Sequence, residues 1–238
     1  MRHPAINPTV FIWLLVAPLA HASQGRTPPT PPQVAGHDEA VFTSTKDQPP
    51  RPQPFVHARL EVALGDVPAN GLILDIGGGG EGVIAQLKGR QVVAIDLSRR
   101  ELDEAPGAPL LKIVMDARDL KFTDASFPTA TVFFTFMYIN PADHEQVFRE
   151  LHRVLQPGGR LHVWDPVFPA SHDPAHDSIL FPVRVKLPAG EINTGYGVRF
   201  RDGQGADHFV KLAEKTGFQV VSRRNEAGWF HLELRKAE

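Results

Sequence analysis

No cysteine occurs among the 238 residues, which excludes disulfides, thiolate metal sites and a cysteine nucleophile; the redox compartment must be read from other features. An excess of either charge is also lacking. Twenty-five Lys and Arg stand against 27 Asp and Glu, for a formal net charge of -2, so there is no basic field to hold a polyanion and no nucleic-acid partner is expected. The N-terminal apolar run, residues 10–20 (VFIWLLVAPLA), stops well short of the roughly 20 residues that a spanning helix needs. What is present is ordinary for a folded domain: 42% hydrophobic and 22% charged residues, enough to build a core.

The short apolar run has its own reading. Arg2 and His3 precede it, and Ala20-His21-Ala22 follows it as a small-x-small cleavage pattern, which predicts a signal peptide over residues 1–22. Pro18 inside the run argues against a buried helix. If the signal is used, the protein is exported, periplasmic or secreted; otherwise it is cytoplasmic. Membrane contact is expected only through an uncleaved signal. Residues 23–54 are broken by prolines (TPPTPP, DQPPRPQP) and read as a flexible linker, which leaves residues 55–238, one domain of ordinary size.

Within that domain, residues 55–64 (FVHARLEVAL) carry apolar residues at roughly helical spacing and predict a helix covering the cleft or a sheet edge. Beyond the turn cluster Pro68-Ala69-Asn70-Gly71, short apolar runs alternate with amphipathic segments. Strands are predicted at 72–76, 91–95, 111–115, 130–134, 160–165, 219–223 and 229–235, and helices at 82–87, 99–104, 142–155 and 206–216. This is an α/β pattern of βαβ units: a Rossmann-like, mostly parallel seven-stranded sheet with helices on both faces and an antiparallel C-terminal hairpin. Pro157-Gly158-Gly159 is read as the turn that stops the long helix and reverses the chain into a strand.

The sharpest local signal is Leu74-Asp75-Ile76-Gly77-Gly78-Gly79-Gly80-Glu81-Gly82, where a buried strand turns into a helix. Such a corner aims backbone N–H groups and the positive end of a helix dipole at a ligand, and glycine lets the ligand approach the backbone. Gly77, Gly79 and Gly82 also satisfy the dinucleotide fingerprint, so the glycines alone leave NAD and S-adenosylmethionine both open. Asp75 favours the latter, because a carboxylate repels a pyrophosphate and attracts a sulfonium and an α-ammonium. Asp96 ends the next strand, about 20 residues on, where it can accept from ribose hydroxyls. Asp116 and Ala117 follow the third strand, where a side chain can accept from the adenine amine and a backbone N–H can serve a ring nitrogen.

The segments ILDIGGGGEG, VVAIDLS, MDARDLKFTDASF and LHRVLQPGGRLHVWD together resemble the class I S-adenosylmethionine-dependent methyltransferases of the ubiquinone/menaquinone-biosynthesis and methyltransferase type 11 kind. The resemblance implies that Asp75, Gly77 and Gly79 cradle the methionine part of S-adenosylmethionine, Asp96 the ribose, and Asp116 with Ala117 the adenine. Phe133 and Phe134 would line the methionine side, and Gly78 and Leu97 belong to the same cofactor-binding set. Two departures stand out: Glu81 occupies a position where the family often has glycine, and Pro128 replaces a frequent acidic residue. Glu81 is read as a first-turn residue favoured by the helix dipole.

Methyl transfer chiefly needs the acceptor held in line with the methyl, with a base only where the acceptor must lose a proton. The expected acceptor is a small molecule or lipid-like compound. Candidate catalytic residues are Tyr138, His144 and Asp165, weighed against plainer roles as cleft wall, helix-surface residue and turn former. Residues 168–205 read as an insert capping the acceptor side. Within it Ser171-His172-Asp173-Pro174-Ala175-His176-Asp177 is taken as a solvated loop, with no metal site expected. Thr194-Gly195-Tyr196-Gly197 is taken as a turn or bulge that hangs Tyr196 over the acceptor pocket. Two other readings stay open: an NAD-dependent oxidoreductase, and an exported methyltransferase-like protein that binds without catalysis.

Overall fold

The structure, a computed structural model, describes residues 53–169, 173–201 and 203–237. The expected signal at 1–22, all but the last two residues of the expected linker, and Ser171 with His172 lie outside the described residues.

In chain order the elements are β1 (Phe55–Val56), β2 (Leu60–Ala63), β3 (Ile73–Ile76), α1 (Val83–Lys88), β4 (Val92–Asp96), α2 (Arg99–Glu104), β5 (Leu111–Val114), β6 (Phe127–Phe133), α3 (His144–Val154), β7 (Leu155–Pro166), β8 (Ser178–Leu187), β9 (Gly190–Arg199), α4 (Ala206–Lys215), β10 (Phe218–Glu226) and β11 (Trp229–Lys236). Seven strands form one sheet in the order β10-β11-β7-β6-β3-β4-β5. β7, β6, β3, β4 and β5 run parallel, and β11 is antiparallel to both β7 and β10. The order reverses at β3, whose neighbours are β4 and β6, so the crevice of a doubly wound sheet falls beyond the carboxyl end of β3.

Alternation along the strands gives each face its own core. Leu74, Ile76, Val93, Ile95, Val132 and Val163 face α3 and α4, whose apolar stripes supply Val147, Phe148, Leu151 and Phe209. At about 25 cal/mol per Å² of apolar surface, burying one such ring stabilises by roughly 1.5–3 kcal/mol. The opposite face carries Ile73, Ala94, Phe133 and Trp164, which pack with Val83 and Ile84 of α1, Leu102 of α2 and the inner residues of a second, four-stranded sheet. Ser98 caps α2 by accepting from the Glu101 N–H at 3.2 Å, the first half of a Ser-x-x-Glu box.

The second sheet corrects two expectations. Residues 55–64 are not a helix: β1 and β2 pair parallel with β8, and Leu60, Val62 and Leu64 are buried while Glu61 and Ala63 are exposed, a period of two rather than 3.6. Within the 168–205 insert, β8 and β9 form a ten-pair antiparallel hairpin. Thr194-Gly195-Tyr196-Gly197 is neither turn nor bulge but the middle of β9, paired without a register shift to Val183, Pro182, Phe181 and Leu180. Pro157-Gly158-Gly159 lies inside β7, where the pairing skips from Phe127↔Leu155 to Thr129↔Arg160; Gly158 takes φ 72 there, so the reversal is a bulge in the strand's first half.

Candidate active site

The glycine corner joins β3 to α1. Gly77 has φ 70, and a Cβ there would lie 2.3 Å from Thr135 Oγ1, so only glycine fits. A Cβ on Gly79 would fall 2.8 Å from Asp96 Oδ2 and 2.7 Å from Glu101 Cβ. The glycines thus let the loop lie against Thr135 on one side and against Asp96 and Glu101 on the other. Thr135 and Glu101 were not singled out in the sequence: Thr135 belongs to no recognisable motif, and the Ser98-x-x-Glu101 box marks only a helix start.

Asp75 is buried within the sheet, where it accepts from Thr131 Oγ1 at 2.7 Å. A Cβ on Gly78 would be 2.7 Å from its Oδ2, so the carboxylate lies directly under the corner. Burial pushes its pKa up to about 7 against the bond from Thr131, and Asp96 adds a smaller upward push. Asp96 accepts from the Ser98 N–H at 2.8 Å and from the Gly79 and Leu97 N–H groups, while burial and Glu101 hold its pKa above the ordinary range. Leu97 is exposed beside it.

Asp116 is half-buried and ion-paired with Arg118 at 2.7 Å, which holds its pKa low; the same guanidinium reaches Asp143 at 3.0 Å. Ala117 packs on the α3/α4 core. Phe133 and Phe134 are both buried, their rings 4.9 Å apart. Phe134 takes a left-handed backbone, φ 49, with its N–H on the Trp164 carbonyl at 2.7 Å.

The three catalytic candidates separate. Tyr138 keeps an exposed ring edge, but its hydroxyl is turned in against the Gly197 N–H, and burial and nearby acids push its pKa up, so it is a phenol donor rather than a base. His144 is neither in the cleft nor on the helix surface. It is fully buried, with Nε2 on the Phe136 and Ile139 carbonyls (3.2 and 3.1 Å) and Nδ1 3.0 Å from His208 Nε2, and burial pulls its pKa down to about 4. Asp165 does not face an acceptor either. It is fully buried and accepts from the Phe136 N–H at 2.9 Å and from the Thr135 and Met137 N–H groups, so it holds the 135–138 turn in place. Both corrections have one physical cause: these polar side chains satisfy buried backbone groups that no regular element serves.

Glu81, at the glycine-to-glutamate departure, receives the hydroxyls of Thr194 and Tyr196 from β9. Glu81 precedes Gly82, the N-cap of α1, so it is not the expected first-turn residue, and its carboxylate serves β9 instead. The alternation Ile192, Thr194, Tyr196, Val198 was the available signal that these side chains share one inward face.

Four acids thus surround the corner: Asp75, Glu81, Asp96 and Glu101. Arg100 is the cation paired to this group, through Glu101 at 2.9 Å. Burial is the main cause of the raised pKa values of Asp75, Asp96, Tyr138 and Tyr196, and one or more of these acids adds a smaller upward push to each.

Sheet order, glycine corner and strand-end acids together define a Rossmann-like, doubly wound fold with an acid-lined crevice at the carboxyl end of β3. Residues 74–163 match the family model of a methyltransferase domain. Over 123 residues the chain is 37% identical to a ubiquinone/menaquinone biosynthesis C-methyltransferase of Desulfotalea psychrophila, covering 48% of this chain and 49% of that one. A Methanosarcina mazei S-adenosylmethionine-dependent methyltransferase superposes with TM-score 0.51 at 20% identity, covering 72% of this chain and 94% of that one. Phosphoethanolamine N-methyltransferase 2 of Haemonchus contortus, solved with S-adenosyl-L-methionine, gives 0.53 at 16% identity over 73% and 50% of the respective chains. The chain spans less than half the length of the curated relatives it matches.

Proposed function

We propose that the crevice binds S-adenosylmethionine and that the domain transfers its methyl group to a small-molecule acceptor, of the benzoquinol or demethylmenaquinone kind in the names of curated relatives. The observation that carries this reading is the convergence of Asp75, Glu81, Asp96 and Glu101 on one corner. Such a field welcomes a sulfonium and an α-ammonium, and it repels the pyrophosphate of a dinucleotide.

The donor set fits the cofactor part by part. Asp96 would accept from the ribose hydroxyls, Asp116 from the adenine amine, and the bare peptide corner at Gly77, Gly78 and Gly79 would admit the amino-acid tail. Asp75 acts from below through its charge. When bound, the cofactor supplies an electrophilic methyl with a neutral thioether leaving group. The protein's share is placement: Phe134 and Tyr138 wall the methyl side, the Tyr138 hydroxyl offers a hydrogen bond, and Asp165 fixes the turn that carries both Phe136 and Tyr138.

Calorimetric titration of residues 53–238 with S-adenosylmethionine and with NAD tests the reading. Saturable binding of the first and none of the second is expected; the reverse would overturn it. A second reading, binding without transfer, is favoured by Glu81 in the place of a glycine, and radiolabelled methyl transfer to a cell extract separates the two. Export remains part of the proposal through residues 1–22, and N-terminal sequencing of the protein made in a host cell tests it.

A further inference from the structure

The β8–β9 hairpin lies beyond the matched methyltransferase segment, which ends at residue 163, yet it reaches into the glycine corner. Thr194 and Tyr196 both donate to Glu81. The Tyr196 ring lies on Phe134 with centroids 5.3 Å apart and planes at 28°, and the Tyr138 hydroxyl meets the next backbone N–H, that of Gly197. One tyrosine is thereby held by a carboxylate, by an aromatic face and through its neighbouring peptide.

The flanking residues point the other way. Gly195 and Gly197 sit in mid-strand, where glycine weakens pairing. Neither has a positive φ, and a Cβ on either would meet nothing nearer than Leu180, at 3.4 and 3.8 Å. Packing and backbone angle therefore do not call for glycine at either position. What two glycines supply is a backbone able to let Tyr196 move. Among the described strands β9 pairs with β8 alone, so no second strand holds its other edge.

We infer that Tyr196 is a gate: it closes the methionine end of the crevice by hanging on Glu81 and lying on Phe134, and a ligand ammonium takes over the Glu81 carboxylate as the ring swings out between Gly195 and Gly197. The exchange is favourable because a charge-assisted bond from an ammonium is stronger than the neutral hydroxyl bonds it replaces. The inference rests on the S-adenosylmethionine reading for the identity of the ligand, but the closed gate itself does not.

The test has two arms on residues 53–238. In the first, amide hydrogen exchange at 193–198 is measured without ligand: Glu81→Gln and Tyr196→Ala are expected to speed it about tenfold, and Tyr196→Phe, which keeps the ring, by less. Unchanged exchange in all three overturns the gate. In the second, stopped-flow association of S-adenosylmethionine should be about tenfold faster in Tyr196→Ala and several-fold slower in Gly195→Ala/Gly197→Ala, whose stiffer backbone resists opening. Equal rates in wild type and both variants also overturn it. If no variant binds S-adenosylmethionine while Glu81→Gln still speeds exchange, the cofactor reading fails and the closed gate stands.

Discussion

Thr131 Oγ1 donates to Asp75 Oδ1 at 2.7 Å across the paired strands β6 and β3, directly opposite one another in register. This hydroxyl is what makes a carboxylate tolerable beneath the glycine corner, and it only partly offsets the burial that pushes Asp75 up to about 7. A folded-state pKa raised from 3.8 means that the native chain holds a proton the unfolded chain has released. The associated stability is full below about pH 4 and is lost as pH rises to about 7. Asp75→Asn should therefore raise the melting temperature of the ligand-free domain at pH 8 by several degrees and make little difference at pH 4.5, as thermal denaturation across that range would show. An equal shift at both values would contradict the buried-acid account.

The same titration reaches the ligand. Affinity for S-adenosylmethionine should rise as pH climbs through about 7, because the ionised Asp75 strengthens the field that attracts the sulfonium. Calorimetry at pH 6, 7 and 8 should give a several-fold tightening in wild type and a flat profile in Asp75→Asn.

Asp96→Ala and Gly79→Val should each lower S-adenosylmethionine affinity by at least about a hundredfold while the far-ultraviolet circular dichroism stays native. The first removes the acceptor of the Ser98 and Gly79 N–H groups, and the second drives a branched side chain into Glu101 and Asp96. Normal binding by either would remove the cofactor site from this corner.

Arg118→Ala should weaken cofactor binding several-fold by freeing Asp116 to rotate, yet hardly move the melting temperature, since half-exposed ion pairs contribute only about 0–1 kcal/mol. A large drop in stability with unchanged affinity would assign Arg118 to the scaffold instead.

His144→Ala should cost about 2–4 kcal/mol at pH 7, for the emptied volume and the two carbonyls left without a donor. Its folded pKa of about 4 lies below the unfolded 6.5, so wild type loses stability as pH falls from 6.5 toward 4, and the gap between the two proteins should narrow at pH 5. Urea denaturation at both values checks the sign. Measured well below melting, kcat/KM should stay within about threefold, which a residue touching the acceptor would not allow.

The parallel strands and amphipathic helices were legible because each carries its own pattern: Val92 to Ile95 is a continuous apolar run, and Val147, Phe148, Leu151 and Val154 mark one stripe of α3. Asp75, Asp96 and the glycines were legible because a strand-turn-helix corner tolerates few alternatives. Residues 55–64 misled because Phe55, Val56 and Ala63 fall outside the Leu60, Val62, Leu64 alternation and imitate a helical stripe, while their partner β8 lies more than a hundred residues away. His144 and Asp165 misled for a related reason. Whether a polar side chain faces a crevice or serves the carbonyls and N–H groups of a turn depends on where the chain has gone by then, and no local pattern encodes that.

Phe134 has a left-handed backbone that glycine adopts freely and that costs other residues about 1–2 kcal/mol. The chain nevertheless carries a benzyl group at that point. The conformational penalty sets a lower bound on what this ring contributes, so Phe134→Gly offers a direct weighing: any net loss of stability or affinity in that variant understates the value of the aromatic surface by the torsional relief the substitution brings.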